Sequence, residues 1–301
     1  MKFSKQETRK NTTLSGIEFR TIVDIKKSDF EILPRERMLL VGSCFADNLG
    51  KRFKEEGFPV IVNPYGVMYN PASILHTVER LVKDDREQGQ FSPRVVFFTL
   101  GTNHIYRLKE TGEIVDNCQK RPARLFQEEE LSVGQCADYI MKAASLLQTS
   151  NPDVRIVLTV SPIRYAKYGY HISQLSKATL LLAAHKCITL TSHTPSAHNI
   201  SHSSLYYFPA YEIVNDELRD YRFYRQDMIH PSDQAVEYIW ERLVETCFSE
   251  SARRWLSEWK PVNDALNHRP FNPDSEEYKA FMKKTHNRIA ELKTLYPELH
   301  V

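Results

Sequence analysis

Three short apolar runs, each ending in small or polar residues, set the strongest limit on how this chain can fold. They cover residues 38–41, 95–100 and 154–160. Each is too short for a core helix and long enough for a fully buried strand. Amphipathic stretches lie between them, with apolar residues three and four positions apart. This alternation predicts an α/β fold, a three-layer α/β/α sandwich around a mainly parallel sheet, in which ligands bind at the carboxyl ends of the strands.

The segments between and after these runs predict the remaining elements. Phe45, Leu49 and Phe53 recur four apart, so a helix follows the first strand directly, and Gly57 ends it. Ser232 is placed to cap a later helix. We also predict strands over residues 59–62 and 188–190, helices over 71–83, 131–147, 176–187 and 274–295, and a hairpin over 105–115.

The balance of charge excludes one broad class of function. The chain has 301 residues, with 40 Lys and Arg against 38 Asp and Glu, for a formal net charge of +2. A protein that binds polyanions through bulk charge carries a larger excess of cations, so we expect no nucleic-acid partner. The run over 219–225 mixes arginines with aromatic residues, but its acidic neighbours predict local ion pairs instead.

The apolar runs are also too short for membrane insertion. None approaches the roughly 20 residues that a membrane-spanning helix needs. The first ten residues lack the apolar core of a signal peptide. We therefore expect a cytoplasmic protein that does not insert into membranes.

Five cysteines, an odd number and widely spaced, argue against both a disulfide framework and a zinc ribbon. The sequence also lacks a Gly-rich phosphate loop, so we predict neither a metal nor another cofactor. A cysteine is most often a small buried hydrophobe, and only its position can mark it as a reactive thiol.

Polar residues at strand ends and in one later loop indicate a common site. Cys44 follows a strand and begins a helix, where free backbone N–H groups and the helix dipole lower a thiol pKa and stabilise an oxyanion. Asp227 stands three residues before His230, so its carboxylate can hold one imidazole nitrogen while the other accepts a proton. An isolated pattern of this kind is more often a turn-capping aspartate beside a structural histidine.

One motif makes the chain resemble a known family. Gly42-Ser43-Cys44-Phe45-Ala46 looks like the defining motif of the GSCFA family. Further matches lie at residues 63–66, 100–102, 117–118, 175–178, 207–212, 216–224 and 227–232, so the resemblance covers roughly residues 20–250. That family is similar to the SGNH hydrolase superfamily, which contains α/β esterases, lipases and carbohydrate O-acyl hydrolases or transferases.

The resemblance implies a division of the chain into two parts. Residues 1–250 would form a GSCFA/SGNH-like catalytic domain with a flavodoxin-like sheet. Residues 251–301 would form a helical C-terminal extension, which packs on that domain or mediates association.

The resemblance also implies a nucleophile, with a departure from the superfamily pattern. The superfamily's Gly-Asp-Ser block falls on residues 42–44, which puts Cys44 in the place of the nucleophilic serine and Ser43 in the place of the aspartate. A thiolate is the better nucleophile at neutral pH, so Cys44 is the first expectation. The alternatives are Ser43 in a shifted register, or a loss of catalysis. Asp227 and His230 match the Asp-x-x-His block fully and complete the implied catalytic triad.

Other positions are candidates for holding the oxyanion and the substrate. By resemblance, Gly66 supplies a backbone N–H and Asn103 a side-chain N–H to an oxyanion hole, while His104 departs from the usual aspartate. Arg164 follows a strand end and either binds an anionic substrate group or is an ordinary solvated or ion-paired arginine. Cys118 either lines the cleft or packs in the core.

Together, these residues and the resemblance imply an acyl-ester hydrolase that acts on O-acyl groups of a carbohydrate or a similar small molecule. An O-acyltransferase on a glycan or cell-envelope precursor would use the same residues. A non-catalytic ligand-binding protein would instead explain the departures at Ser43, Cys44 and His104. Association into a homodimer is also compatible with the sequence.

Overall fold

The computed structural model describes residues 21–88, 92–116, 121–193, 204–297 and 299. Its strands are β1 (Met38–Gly42), β2 (Val60–Val62), β3 (Val95–Leu100), β4 (His104–Leu108), β5 (Ile114–Val115), β6 (Phe126–Glu130), β7 (Arg155–Val160) and β8 (Leu205–Tyr207). Five of them form a parallel sheet in the order β2-β1-β3-β7-β8. This is the order of doubly wound sheets, in which the chain reverses its direction of growth between β1 and β3. The predicted fold class is confirmed.

Eight α-helical segments are found in the described part of the chain. They are α1 (Cys44–Glu55), α2 (Pro71–Gln88), α3 (Val133–Ser150), α4 (Tyr170–His193), α5 (Ala210–Glu212), α6 (Asp233–Cys247), α7 (Glu250–Leu266) and α8 (Glu276–Leu295). A π-helical segment, Ile213–Leu218, continues α5 directly. As predicted, a helix follows β1 at once, and Ser232 caps α6 by accepting the Ala235 N–H.

The parallel sheet has an apolar core on each face, because its strands alternate their side chains between the two. Leu40 and Phe97 belong to the core that also contains residues of α1, α6, α7 and α8. Leu39 and Phe98 belong to the core that contains residues of α2, α3 and α4. These two cores bind the three layers together.

A second, antiparallel sheet of three strands follows β3, in the order β5-β4-β6. The predicted hairpin of β4 and β5 is present. The third strand, β6, was not predicted from the sequence. Its residues, Phe-Gln-Glu-Glu-Glu, are mostly exposed and carry no apolar alternation.

The strand predicted over residues 188–190 is wrong, because these residues lie inside α4. A three-residue apolar run is too short to separate a strand period from a helix period. The fifth parallel strand is Leu205–Tyr207, which pairs with β7.

The C-terminal helices pack against the end of α1. The indole N–H groups of Trp255 and Trp259 donate to the carbonyls of Glu56 and Glu55, each at 2.8 Å. Both carbonyls lie in the last turn of α1 or just after it, where no further helical N–H can reach them. Trp255 is fully buried in the core on this face of the sheet. Of the helices in the described part of the chain, none is long and apolar enough to cross a membrane.

Candidate active site

A cavity of about 260 Å³ lies at the carboxyl ends of the parallel strands. Cys44 follows β1, Gly101 follows β3 and Ser161 follows β7, and all three line it. The cavity therefore occupies the switch point between β1 and β3, where doubly wound sheets bind their ligands. Four of the residues predicted for the site line it, namely Ser43, Cys44, Arg164 and His230. The other four, Gly66, Asn103, His104 and Asp227, lie outside its lining.

Cys44 is the first residue of α1, and its thiol is half-buried in the cavity wall. Its Sγ lies 4.0 Å from the Tyr69 hydroxyl oxygen. Burial raises the pKa of the Cys44 thiol, and the hydrogen bond with Tyr69 offsets this only in part. The sequence predicts a lowered pKa for Cys44, but the shift is upward, because loss of solvent around the thiolate outweighs the hydrogen bonds that favour it.

Ser43 is buried and already bonded. Its Oγ accepts the N–H of Phe45 at 3.3 Å and lies 3.2 Å from the hydroxyl of Thr99. The side chain thus caps the N-terminus of α1. The preceding Gly42 has φ of 143°, and a Cβ there would lie 2.2 Å from the Thr99 carbonyl oxygen, so the turn that presents Cys44 requires glycine.

The Asp227 carboxylate binds both the imidazole ring and the backbone N–H of His230. One carboxylate oxygen lies 2.6 Å from His230 Nδ1. The other accepts the N–H groups of Ile229 and His230 at 2.8 and 3.0 Å. These two N–H groups, together with the imidazole, hold the pKa of Asp227 well below its usual range. Asp227 is thus an anion that fixes the ring through Nδ1 and leaves Nε2 for proton transfer.

Arg164 anchors the turn that carries His230. Its backbone N–H donates to the Ile229 carbonyl, and its Nη1 donates to the Met228 carbonyl, both at 3.0 Å. The guanidinium carbon lies 4.0 Å from the ring centre of Tyr170 and 5.4 Å from that of Tyr224. Within the described part of the chain, this guanidinium forms no ion pair with a carboxylate.

The two donors expected for an oxyanion hole are engaged elsewhere in this structure. The Gly66 N–H donates to the Asn63 carbonyl at 2.8 Å. The Asn103 side-chain Nδ2 donates to the Leu131 carbonyl at 2.8 Å. The Cys44 N–H, in the first turn of α1, is the donor that lies at the nucleophile itself.

His104 lies in β4, where its ring is buried and stacks on Tyr168 at 4.2 Å between ring centres. Burial lowers its pKa. Its Nδ1 is 3.4 Å from a carboxylate oxygen of Glu128. His104 thus belongs to the smaller sheet beside the cavity. Cys118 lies outside the described residues.

The residues that connect the strand ends were not predicted from the sequence. Lys177 in α4 is buried, and its Nζ donates to the carbonyls of Gly101 and Ser161 at 2.7 and 2.8 Å. Burial lowers the pKa of Lys177 to about 7. Its neighbour Ser176 accepts the N–H of Asn103 at 3.0 Å. The only sequence signal was the match at residues 175–178, which carried no assigned role.

Tyr69 is a second missed residue. Its carbonyl accepts the N–H groups of Gly101 and Thr102 at 2.9 and 2.8 Å, and its ring lines the cavity. Burial raises the pKa of the Tyr69 phenol to about 12, so it stays neutral beside Cys44. Tyrosine in a loop after a short strand has no distinctive spacing, which left it without a signal.

Comparison with solved structures finds several esterases, at low sequence identity and low TM-score. An acetyl esterase with a bound acetate ion is 12% identical over 75% of this chain and 99% of its own, with a TM-score of 0.41. A family 3 carbohydrate esterase from Talaromyces cellulolyticus is 10% identical over 69% and 94%, at 0.37. An acetyl xylan esterase from Butyrivibrio proteoclasticus is 8% identical over 71% and 64%, at 0.38. Comparison with curated proteins finds no match.

Comparison with protein families gives a match over most of the chain. The model of the GSCFA family matches residues 37–92 and 90–243. That of the GSCFA domain protein, C-terminal domain, matches residues 259–301. These matches include the motif at residues 42–46, Arg164 and the Asp227–His230 turn. The chain therefore belongs to the GSCFA family.

Proposed function

We propose that this chain is an acyl-ester hydrolase with the Cys44 thiol as nucleophile and the His230 imidazole as general base. One observation carries the proposal: both side chains line the same cavity, while Asp227 holds the other imidazole nitrogen at 2.6 Å. Nucleophile, base and orienting carboxylate are the three parts of a catalytic triad. The resemblance to the SGNH superfamily supports the same three roles.

The reaction starts from the neutral thiol, since burial raises its pKa. His230 Nε2 takes the proton from Cys44 as the sulfur attacks the acyl carbonyl carbon. The carbonyl oxygen becomes an oxyanion, which the Cys44 N–H and the positive end of α1 stabilise. The ester C–O bond then breaks, the alcohol oxygen takes the proton from His230, and the acyl group stays on sulfur as a thioester. Asp227 stabilises the imidazolium throughout.

Water completes the cycle. His230 accepts a proton from the water molecule, the oxygen attacks the thioester carbonyl, the C–S bond breaks, and the sulfur regains its proton from His230. A carboxylic acid leaves. If the hydroxyl of a second molecule replaces water, the same thioester yields a new ester, which is the acyltransferase alternative. A volume of about 260 Å³ with walls from Tyr69, Ile163 and Tyr165 suits a short acyl chain.

Ser43 is the weaker candidate for the nucleophile. Its hydroxyl is committed to the Phe45 N–H and to Thr99, and its side chain is buried. Attack by Ser43 would break the cap of α1. We therefore assign Ser43 to positioning Cys44.

Steady-state hydrolysis of p-nitrophenyl acetate tests this function. We expect Cys44→Ala and His230→Ala to lower kcat/KM by about 100-fold or more. Ser43→Ala should cost about 1 kcal/mol of stability through the lost cap and keep most of the activity. Cys136→Ala removes a buried thiol of α3 and is the matched control, with activity unchanged.

Two results would reject parts of the proposal. Wild-type turnover in both Cys44→Ala and His230→Ala would favour the non-catalytic alternative. A loss of activity in Ser43→Ala alone would identify Ser43 as the nucleophile. Analysis of the products with added glycerol separates free acetate, the hydrolase product, from acetylated glycerol, the transferase product.

A further inference from the structure

A second cavity, of about 460 Å³, lies next to the active-site cavity. Arg164 lines both, so the two are neighbours across one side chain. The active-site cavity has apolar and aromatic walls. The second has polar ones, with Gln174, Asn215, Asp216, Arg219 and Asp220. The chain thus places a polar cavity beside an apolar one that contains the nucleophile.

The polar cavity is built on unusual backbone. The π-helical segment Ile213–Leu218 supplies Asn215 and Asp216, and Arg219 follows it with a left-handed φ of 30°. A π-helical turn and a left-handed arginine each cost conformational free energy, and such features concentrate at functional sites. The Asn215 side chain donates to the Tyr211 carbonyl at 2.7 Å, which fixes its orientation.

The charges of this cavity fit a neutral ligand. The cavity is lined by two carboxylates and two guanidinium groups, so their formal charges cancel. These belong to Asp216, Asp220, Arg164 and Arg219. Asp216 and Arg219 are 3.5 Å apart, the first half-exposed and the second mostly exposed, an arrangement that leaves hydrogen-bonding capacity on both. Carboxylates accept hydrogen bonds from hydroxyl groups and guanidinium groups donate to them, so a ligand with many hydroxyls satisfies both.

Aromatic rings add a surface for a sugar ring. Tyr221 and Tyr224 line the cavity, and Tyr221 is 69% exposed. The C–H face of a pyranose is apolar and packs on aromatic rings, while its hydroxyls point to polar side chains. Tyrosines beside carboxylates, amides and guanidinium groups therefore match a carbohydrate.

We propose that this polar cavity is a sugar subsite. It holds the polyhydroxylated part of an ester whose acyl group lies in the cavity of Cys44. The inference rests on the proposed function, because it assigns the alcohol side of the same ester. Arg164 stands between the two parts and contacts both cavities.

The test compares a substrate that has a sugar with one that does not. We expect Tyr221→Ala and Asp216→Ala to lower kcat/KM for 6-O-acetylglucose, whose other hydroxyls are free, by about tenfold, equivalent to about 1.4 kcal/mol of lost binding in the transition state. Both variants should hydrolyse p-nitrophenyl acetate at the wild-type rate. Phe271→Ala, which removes a fully exposed aromatic ring that lines neither cavity, is the control for both substrates.

Equal effects on the two substrates, or none on either, would overturn the sugar subsite. If the wild-type protein hydrolyses neither ester, the proposed function fails, and saturation-transfer NMR with cellotriose tests the subsite directly. Saturation transfer to cellotriose that is present with the wild type and lost with Tyr221→Ala supports the sugar subsite. Absence of transfer, or transfer that Tyr221→Ala does not change, rejects it.

Discussion

At the residue scale, consecutive positions of one motif have separate physical tasks. Gly42 lets β1 turn sharply against the Thr99 carbonyl, Ser43 caps α1, and Cys44 presents its thiol to the cavity. The sequence predicts these positions because strand, turn and helix are adjacent in it. It does not predict the direction of the thiol pKa shift, because the walls that bury Cys44 include Tyr69 and residues much later in the chain.

The raised pKa of Cys44 leads to a prediction for its alkylation by iodoacetamide. Only the thiolate reacts, so the rate should rise through alkaline pH with a midpoint above the roughly 8.5 of a free thiol. Tyr69→Phe removes a hydrogen bond that lowers this pKa, so the midpoint should move further up. Cys136 should stay unmodified, because it is buried and burial raises its pKa to about 12.

Peptide mapping by mass spectrometry gives the alkylation rate of each cysteine. A Cys44 midpoint below neutral pH would mean that the resting enzyme holds a thiolate–imidazolium pair. That result would contradict proton transfer from a neutral thiol.

At the element scale, the strand ends that form the cavity are held together from α4. Lys177 connects β3 to β7 through two carbonyls, and Ser176 holds the backbone just after β3. The apolar runs of the sequence predict β1, β3 and β7 but not this connection. Its two hydrogen bonds to the end of β3 join residues that are 76 and 73 positions apart, and no periodic pattern encodes them.

Lys177 makes the stability of the fold depend on pH. Its pKa is about 7 in the folded chain, against 10.5 as its ordinary value. Between these values the unfolded chain binds more protons, so the free energy of unfolding should rise from pH 7 towards pH 10. Lys177→Met should remove this contribution, and its deficit relative to the wild type should therefore grow with pH.

Urea unfolding at pH 7 and at pH 9 measures this difference. Lys186→Met, an exposed lysine of the same helix, is the control and should show no such change. A Lys177→Met deficit that is the same at both pH values would show that the buried amine has an ordinary pKa.

At the scale of the whole molecule, the sheet order decides where chemistry can occur. The order β2-β1-β3-β7-β8 leaves a crevice between β1 and β3, and the cavity with Cys44 and His230 lies there. The sequence predicts this location because two strand ends and one later loop carry small or polar residues. It does not predict how the extension packs, because the Trp255 indole meets a carbonyl 199 residues earlier in the chain.

The central claim is that an acyl group passes through the sulfur of Cys44. The most direct measurement is acid quenching of the protein during turnover of p-nitrophenyl acetate, followed by mass spectrometry of its peptides. We expect an acetyl group on the Cys44 peptide, lost on treatment with hydroxylamine and absent in Cys44→Ala. Acetyl on Ser43, or turnover by a Cys44→Ala variant at the wild-type rate, would contradict the account.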